Sequence, residues 1–400
     1  MLSGGLGLLA FGACFFFGAS QSRDAAALYA LIFLAGFIYS RRLTFPKFLP
    51  RRLIPAGGLF FTLLLGVSLF AAYDPWQSLL RLTGWFAMGV VFMLSSGLDQ
   101  KERENLLAAL VLTALFQTGY GIFALSGTPE KILWRMKEDH LGYLTGTYLN
   151  RNHLAGMLEL ALGAAMGFFL KESTAKKNGM AMFWALIFCL LFGGLMLTGS
   201  RAGLLCWLMG FITSLSIFSG GRSGLRTPAL WILLGIVFVA AWPLCGSLLS
   251  RFEPDAGYLA LQNGRLWAWQ DGLVMLKDHL VLGTGLGNFG ALFPAYQSAR
   301  LQLGWEHIHC DYLELAIELG LPLWGAGLAL AGAVIRVLIK QTVFMPPSLQ
   351  ALQTGCFAGL FALLFHGFFD FNFAVPANVL NAVLMAGILC GTLNTRVSES

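Results

Sequence analysis

Charged residues are scarce in this chain. Only 12% of its 400 residues are Asp, Glu, Lys or Arg, whereas 57% are hydrophobic and the mean hydropathy is +0.71. A soluble domain needs a charged surface, so this composition predicts a chain embedded in a membrane. The sequence also lacks an internal repeat, a low-complexity tail and an interdomain linker. We therefore predict a single all-α, polytopic membrane domain that covers residues 1–400.

Metal-ligand and redox motifs are also missing. The seven cysteines form no CxxC spacing, and most fall in apolar segments, where cysteine serves as a small apolar residue. Cys245 and Cys310 both lie near the predicted outer face, which leaves a disulfide between them as one alternative. The pair His307 and His309 is too small to predict a zinc site. We predict no metal and no other cofactor.

Hydropathy predicts about twelve transmembrane helices, since about 20 apolar residues cross a bilayer. They are placed near 3–20, 25–40, 54–72, 82–98, 105–126, 154–170, 181–198, 203–219, 229–248, 316–338, 350–369 and 378–394. Lys and Arg are concentrated in alternate loops, which predicts that the N-terminus and the C-terminus both lie in the cytoplasm. The net charge of +6 follows from the same bias and requires no nucleic-acid partner.

Two long loops are predicted on the outer, periplasmic side, at 127–153 and 249–309. The second contains a segment from Arg265 to Lys277 that predicts an amphipathic helix lying on the membrane. Its apolar side chains recur at helical spacing at Leu266, Trp269, Leu273 and Leu276. A glycine-rich break and a second amphipathic segment from Phe289 to Arg300 are predicted to follow.

Ionisable residues cluster where the large loop re-enters the bilayer. There His307, His309, Asp311 and Glu314 follow one another within eight residues, in a place where charge is costly and often functional. His309 is the candidate general base, because a neutral imidazole can take a proton from a sugar hydroxyl. Asp311 and Glu314 would orient it. Spacing alone favours a plain interface histidine, whereas the surrounding carboxylates favour the base.

Three arginines occupy unusual places. Arg201 lies in the five-residue turn Gly199 to Gly203, so it either snorkels to the headgroups or faces a cavity that holds an anion. Guanidinium binds phosphate bidentately, which favours an anion site. Arg265 opens the amphipathic helix, where a solvated cation is the simpler interpretation. Arg151 begins a span that carries Glu159, which indicates either a polar interior or a structural ion pair.

A last polar group interrupts the apolar run HGFFDFNFAVPAN, residues 366–378. It contains His366 and Asp370. Asp370 is either a site residue or a carboxylate at headgroup level, and the asparagines are explained by capping and helix packing.

Together these blocks resemble the O-antigen ligase and O-antigen polymerase superfamily of bacterial membrane glycosyltransferases. The resemblance rests on five blocks in the order 146–155, 198–203, 265–289, 309–320 and 366–378. Three departures concern the ligase pattern: Cys310 follows the motif histidine where ligases usually have Asn, Ser or Gln, Leu323 stands where they have Gly, Thr or Tyr, and His279 replaces the usual proline. The resemblance implies a C-type glycosyltransferase-like fold in the bacterial inner membrane, with a periplasmic active site.

The resemblance also implies a reaction. Members of the superfamily move a glycan from undecaprenyl pyrophosphate to an acceptor hydroxyl, on lipid A-core for ligases or on a growing lipid-linked glycan for polymerases. By this resemblance Arg201 and Arg265 would hold the pyrophosphate and His309 would activate the acceptor, without a metal. Arg151, His366 and Asp370 are further candidates for substrate binding, and Asp311 and Glu314 for catalysis.

A polytopic transporter or flippase is the alternative from another class. Twelve spans with both ends inside describe many transporters. However, transporters tend to carry repeats and functional charges near the midplane, whereas the ionisable groups here lie mostly at the predicted outer edge.

Overall fold

Helices dominate the structure. A computed structural model describes residues 2–43, 50, 53–218, 256–301 and 304–397. Within these residues the α-helices are α1 Leu2–Phe15, α2 Ser22–Ile38, α3 Leu53–Phe70, α4 Pro75–Ser96, α5 Gln100–Gly127, α6 Arg151–Thr174, α7 Asn178–Thr198, α8 Arg201–Phe218, α9 Ala256–Asp278, α10 Phe289–Leu292, α11 Asp311–Thr342, α12 Pro347–His366 and α13 Pro376–Val397. A two-stranded antiparallel hairpin pairs β1 Lys131–Ile132 with β2 Arg135–Met136.

The predicted fold class is confirmed: the chain is an all-α polytopic membrane protein. Eight of the described helices, α3 to α8, α11 and α12, are long and apolar enough to cross a bilayer. Residues Leu2–Phe15 and Pro376–Thr392 form shorter apolar helices at two further predicted spans. The predicted span at 229–248, the start of the loop at 249–309, and Cys245 lie outside the described residues. The disulfide between Cys245 and Cys310 therefore stays a prediction.

Helix α6 is the central element of the bundle. Every residue from His153 to Leu170 is buried, although their hydropathy alone would suit a lipid-facing helix. Small residues permit this close packing, because Gly163 and Gly167 lie directly against the backbone of α12 at Gly355 and Leu352. Backbones that approach this closely gain dispersion contacts along their whole length. The start of α6 is thereby held firmly against the end of α12.

Helix α11 is broken near its start, and the backbone of the large loop forms hydrogen bonds to the helix residues next to the break. Gly320 has φ 71° and ψ 156°, a conformation that favours glycine. Its Cα lies so close to the carbonyl of Val281 that a side chain would clash. The backbone N–H groups of Thr284 and Gly285 donate to the carbonyls of Ile317 and Glu318 at 3.0 and 2.9 Å. The loop thus satisfies carbonyls that the break would otherwise leave unpaired.

The described part of the large loop contains one long helix rather than two. Helix α9 includes the predicted segment from Arg265 to Lys277, and leaves Leu266 and Leu273 exposed while Ala268 and Met275 are buried. The predicted second amphipathic segment is shorter than expected: α10 has four residues and passes into a 3-10 turn at Phe293–Ala295. Pro294 lies in that turn and cannot donate a backbone hydrogen bond that would continue the helix.

Candidate functional site

A fully buried carboxylate, Asp370, lies at the centre of the candidate site. It follows α12 by four residues, and its backbone N–H donates to the carbonyl of His366 at 3.1 Å. Its Oδ1 lies 3.3 Å from His309 Nδ1, and its Oδ2 lies 3.5 Å from Arg265 Nη2. Burial favours the neutral acid, but His309 and Arg265 outweigh it and hold the pKa of Asp370 well below its usual range. Asp370 is therefore ionised at neutral pH.

His309 reaches this carboxylate through an unusual backbone conformation. Its φ is +54°, which is uncommon for a residue with a side chain and occurs where surrounding contacts hold it. Because a carboxylate only accepts hydrogen bonds, the proton of the His309 ring is assigned to Nδ1. The side chain is 25% exposed, and with the proton on Nδ1 the lone pair is on Nε2. This is the tautomer that a general base requires.

Arg265 is the second partner of Asp370. Its Nη1 donates to the carbonyl of Phe369 at 3.0 Å, and its Nη2 lies 3.4 Å from His309 Nδ1. The hydrogen bond to Phe369 and the ion pair with Asp370 hold one edge of the guanidinium, while 34% of the side chain stays exposed. The base candidate and one of the two predicted phosphate-binding arginines thus share a single carboxylate. The sequence separates these residues by 44 and 61 positions.

Two residues at the start of α6, for which the sequence pattern indicated no role, complete the surroundings of Asp370. Asn152 donates to Asp370 through its side-chain amide. His153 Nε2 lies 4.0 Å from Asp370 Oδ1. The ring of Phe371 contacts three imidazoles, those of His153, His307 and His309, at centroid distances of 4.4 to 4.8 Å. The run Asn150 to His153 was the available signal, since amides and imidazoles are unusual at the start of a span.

Asp311 and Glu314 bind the backbone and His307 rather than His309. Glu314 Oε1 lies 2.7 Å from His307 Nδ1, and Glu314 Oε2 accepts from the backbone N–H of Ile308 at 3.0 Å. Asp311 accepts from the backbone N–H of Phe373. Burial would lower the pKa of His307, but the Glu314 carboxylate outweighs it and raises that pKa. Both acids therefore hold the chain on either side of His309 in place.

Arg81 on α4 is a further cation that the sequence analysis did not single out. It packs against Gly287 of the large loop, and it acts electrostatically on Glu314 and Glu318. Glu318 accepts from the backbone N–H of Phe289 at 3.3 Å. Acidic residues of α11 and the cation of α4 therefore anchor the large loop from two sides. Only the position of Arg81 near the end of a span was visible in the sequence.

His366 and Glu159 form a sealed pair inside the bundle. Glu159 Oε1 lies 2.8 Å from His366 Nδ1, and both side chains are fully buried. Within the described residues, Glu159 Oε2 and His366 Nε2 make no hydrogen bond. The pair connects the buried helix α6 to the end of α12, four residues before Asp370.

Arg151 and Arg201 are the first residues of α6 and α8 at the same end of the bundle. Gly203 packs against Ala155, which brings the starts of these helices together. The guanidinium of Arg151 lies 4.1 Å from the centre of the Tyr143 ring. Nearby His140 is kept neutral, since burial, with a further contribution from Arg151, lowers its pKa to about 4. Two cations thus lie at the site end of the bundle beside the triad of His309, Asp370 and Arg265.

The arrangement suits proton removal next to a bound anion. The imidazole of His309 is oriented by a carboxylate, and the adjacent guanidinium of Arg265 is partly exposed. In the described part of the chain, no group of three or more His, Cys, Asp or Glu side chains is arranged to hold a metal ion. A substrate whose leaving group carries phosphate, and whose acceptor is a hydroxyl, would use both features.

A family model described as O-antigen ligase matches residues 185–328. The matched segment includes three of the five motif blocks, and with them Arg201, Arg265 and His309. The match confirms the resemblance to the O-antigen ligase superfamily.

A second similarity is to a transporter. The vitamin B12 import system permease protein BtuC of Citrobacter koseri is 25% identical over 178 residues, which cover 35% of this chain and 53% of that permease. The chain thus spans about half the length of this curated relative. A likeness of this extent carries no assignment of import activity to this chain.

Proposed function

We propose that this protein is a glycosyltransferase of the O-antigen ligase type. In the proposal it moves a glycan from undecaprenyl pyrophosphate to an acceptor hydroxyl at the periplasmic face of the bacterial inner membrane. The observation that carries it is the buried Asp370, which holds His309 and Arg265 within 3.3 and 3.5 Å. A base candidate and a phosphate-binding candidate from different motif blocks are thereby positioned together.

The proposed step forms one bond and breaks one. The acceptor oxygen attacks the anomeric carbon of the donor sugar, while the bond from that carbon to the pyrophosphate oxygen breaks. His309 Nε2 takes the hydroxyl proton, and the bonding electrons leave with undecaprenyl pyrophosphate. Because the donor is already activated, positioning and one base supply most of what the reaction needs.

In this proposal the arginines stabilise the negative charge that develops on the leaving pyrophosphate. Arg265 has an exposed edge beside His309, and Arg201 and Arg151 lie at the same end of the bundle. Fixed guanidinium groups stabilise developing negative charge without having to reorganise during the reaction. In this proposal Asp370 orients His309, and Asp311, Glu314 and His366 hold the segments that carry the site.

Two alternatives are kept. A polymerase of the same superfamily would use the same groups with a lipid-linked glycan as acceptor. A transporter or flippase is the alternative of another class, and the partial likeness to an import permease is the observation that favours it. In a transporter, the charged residues would bind the transported molecule on its way across the membrane instead of transferring a proton.

Glycan transfer by the purified protein separates these three functions. The protein in detergent with EDTA would be given undecaprenyl-pyrophosphate oligosaccharide, with and without lipid A-core. A product that requires lipid A-core is the expected result for a ligase, and longer lipid-linked chains without it would identify a polymerase. Folded protein that makes neither product from its native donor would contradict both and favour the transporter.

A further inference from the structure

A cavity lies at the other end of the molecule from the candidate site. Its volume is about 630 Å³, within the usual range for ligand pockets. It is lined by Pro50, Leu53, Gly332, Ala333, Arg336, Val337 and Lys340. In α11, Gly332, Arg336 and Lys340 recur at every fourth position, and Ala333 and Val337 are adjacent to them in sequence. These five residues therefore lie on one face of the helix.

The length of α11 separates this cavity from His309 and Asp370. The helix begins at Asp311 beside the candidate site and is broken at Gly320. From Leu321 to Lys340 it rises roughly 30 Å at about 1.5 Å per residue. This distance matches the hydrocarbon thickness of a bilayer. The cavity therefore lies at the opposite membrane surface.

Two cations line this cavity. Arg336 and Lys340 are both exposed, and no carboxylate among the described residues forms an ion pair with either. A cation that only snorkels to the headgroups needs no cavity beside it. Here Gly332 and Ala333 leave room next to the cations, and a Cβ at Gly332 would meet nothing within 4 Å.

We propose that this cavity binds an anionic phospholipid. Arg336 and Lys340 would hold its phosphate, and Leu53, Ala333 and Val337 would contact the glycerol and the upper acyl chains. Basic pockets between membrane helices on the cytoplasmic side recognise anionic headgroups through this combination of charge and apolar surface. The proposal concerns a second site and does not depend on the proposed glycan transfer.

Lipid binding to the purified full-length chain tests the proposal. Phosphatidylglycerol would be titrated into the detergent-solubilised protein, with bound lipid counted by native mass spectrometry and thermal unfolding followed in parallel. Phosphatidylcholine has the same phosphate and chains but no net charge, and inorganic phosphate has the charge without the chains. We expect retention of phosphatidylglycerol and stabilisation by it, with a weaker response to the other two probes.

Three variants separate charge from shape. Arg336→Gln with Lys340→Gln removes both cations and should weaken binding about tenfold or more, since each cation near an anionic headgroup contributes about 1 kcal/mol. Gly332→Leu keeps both cations, fills the cavity and suits a helix, and should reduce binding similarly. Lys176→Gln with Lys177→Gln is the matched control. It also removes two cations, and these follow the end of α6 that is distant from the candidate site.

The outcomes are decisive in both directions. Weaker binding in the double variant and in Gly332→Leu, with the control within about twofold of the parent, would support the proposal. Equal binding by all four proteins would overturn it. Equal responses to phosphatidylglycerol and phosphatidylcholine, or to phosphatidylglycerol and inorganic phosphate, would also overturn the assignment to an anionic lipid.

Discussion

Two imidazole–carboxylate pairs of this protein differ in their access to solvent. His309 and Asp370 are 3.3 Å apart, and the imidazole is 25% exposed. His366 and Glu159 are 2.8 Å apart, and neither side chain is exposed. The same chemical groups therefore suit different tasks. An accessible imidazole can exchange a proton with a bound substrate, whereas a sealed pair mainly connects two helices.

The arrangement also links the two pairs. Asp370 is bonded to the last turn of α12 through the carbonyl of His366. Helix α12 is in turn connected to α6 by the sealed pair, and α6 supplies Asn152 to the accessible one. The sealed pair therefore supports the position of the accessible pair.

The largest expected effect is on the accessible imidazole. His309→Ala should reduce the rate of glycan transfer by about 10²- to 10⁴-fold, the usual contribution of a general base. Donor binding should be nearly unchanged, whereas thermal stability should fall, because the buried Asp370 loses one of its partners. His279→Ala is the matched control, because this imidazole lies in the same large loop and contacts Tyr296 instead of Asp370. Unchanged turnover in His309→Ala would assign the base to another group.

The sealed pair should affect stability instead. Glu159→Gln keeps the shape but replaces the carboxyl group that contacts His366, and should lower the free energy of unfolding by about 1–3 kcal/mol, the cost of an unsatisfied buried polar group. Thermal unfolding in detergent measures this change, and adding His366→Gln should cost less than the sum of the two single changes. Glu172→Gln, at a more exposed ion pair, is the control and should change stability by under about 1 kcal/mol. Additive effects would argue against a coupled pair.

Asp370→Asn tests the link between the pairs. The amide keeps the shape but no longer orients the His309 proton, so kcat should fall about 10- to 100-fold with little change in KM, the usual range for an orienting partner. A positioning role predicts this split between the two constants, and a general loss of folding does not. A wild-type rate in Asp370→Asn would remove the carboxylate from the proposal.

The lowered pKa of Asp370 also has a consequence for acid stability. A carboxyl group with a lowered pKa stabilises the fold above its unfolded value of about 4, and this contribution is lost only as the pH falls through the folded value. The contribution of Asp370 to stability should therefore be complete down to about pH 4, which thermal unfolding of the wild type and Asp370→Asn between pH 3 and 7 measures.

The smallest expected effect concerns the third imidazole pair, His307 and Glu314. A histidine with a raised pKa stabilises the fold fully below its unfolded value of about 6.5, and loses this contribution as the pH rises through the folded value. The thermal unfolding temperature should therefore fall more steeply between pH 6 and pH 9 for the wild type than for His307→Gln. Arg81 and Glu318 also act on His307 and are unchanged in this comparison. Parallel curves for the two proteins would contradict the assignment.

Several site features were predictable because they depend on composition and local order. A charged residue inside an apolar segment carries a free-energy cost whatever fold the segment adopts. Arg201, His309 and Asp370 were therefore recognisable in the sequence. His153, Asn152 and Arg81 were harder to recognise, since each is ordinary for the edge of a span. Their importance comes from what they contact, and contacts between residues more than 200 positions apart, such as Asn152 and Asp370, leave no local pattern.

The sequence by itself determined that this chain is helical and embedded in a membrane, because apolar length and the need for internal backbone hydrogen bonding leave few other structures. It also indicated which ionisable residues were candidates. Only the tertiary structure decided which carboxylate serves which imidazole. Asp311 and Glu314, neighbours of His309 in sequence, bind elsewhere, while Asp370 reaches it from 61 residues away. Helical direction and the close packing of α6 against α12 set these pairings, and neither is encoded in the spacing of residues along one helix.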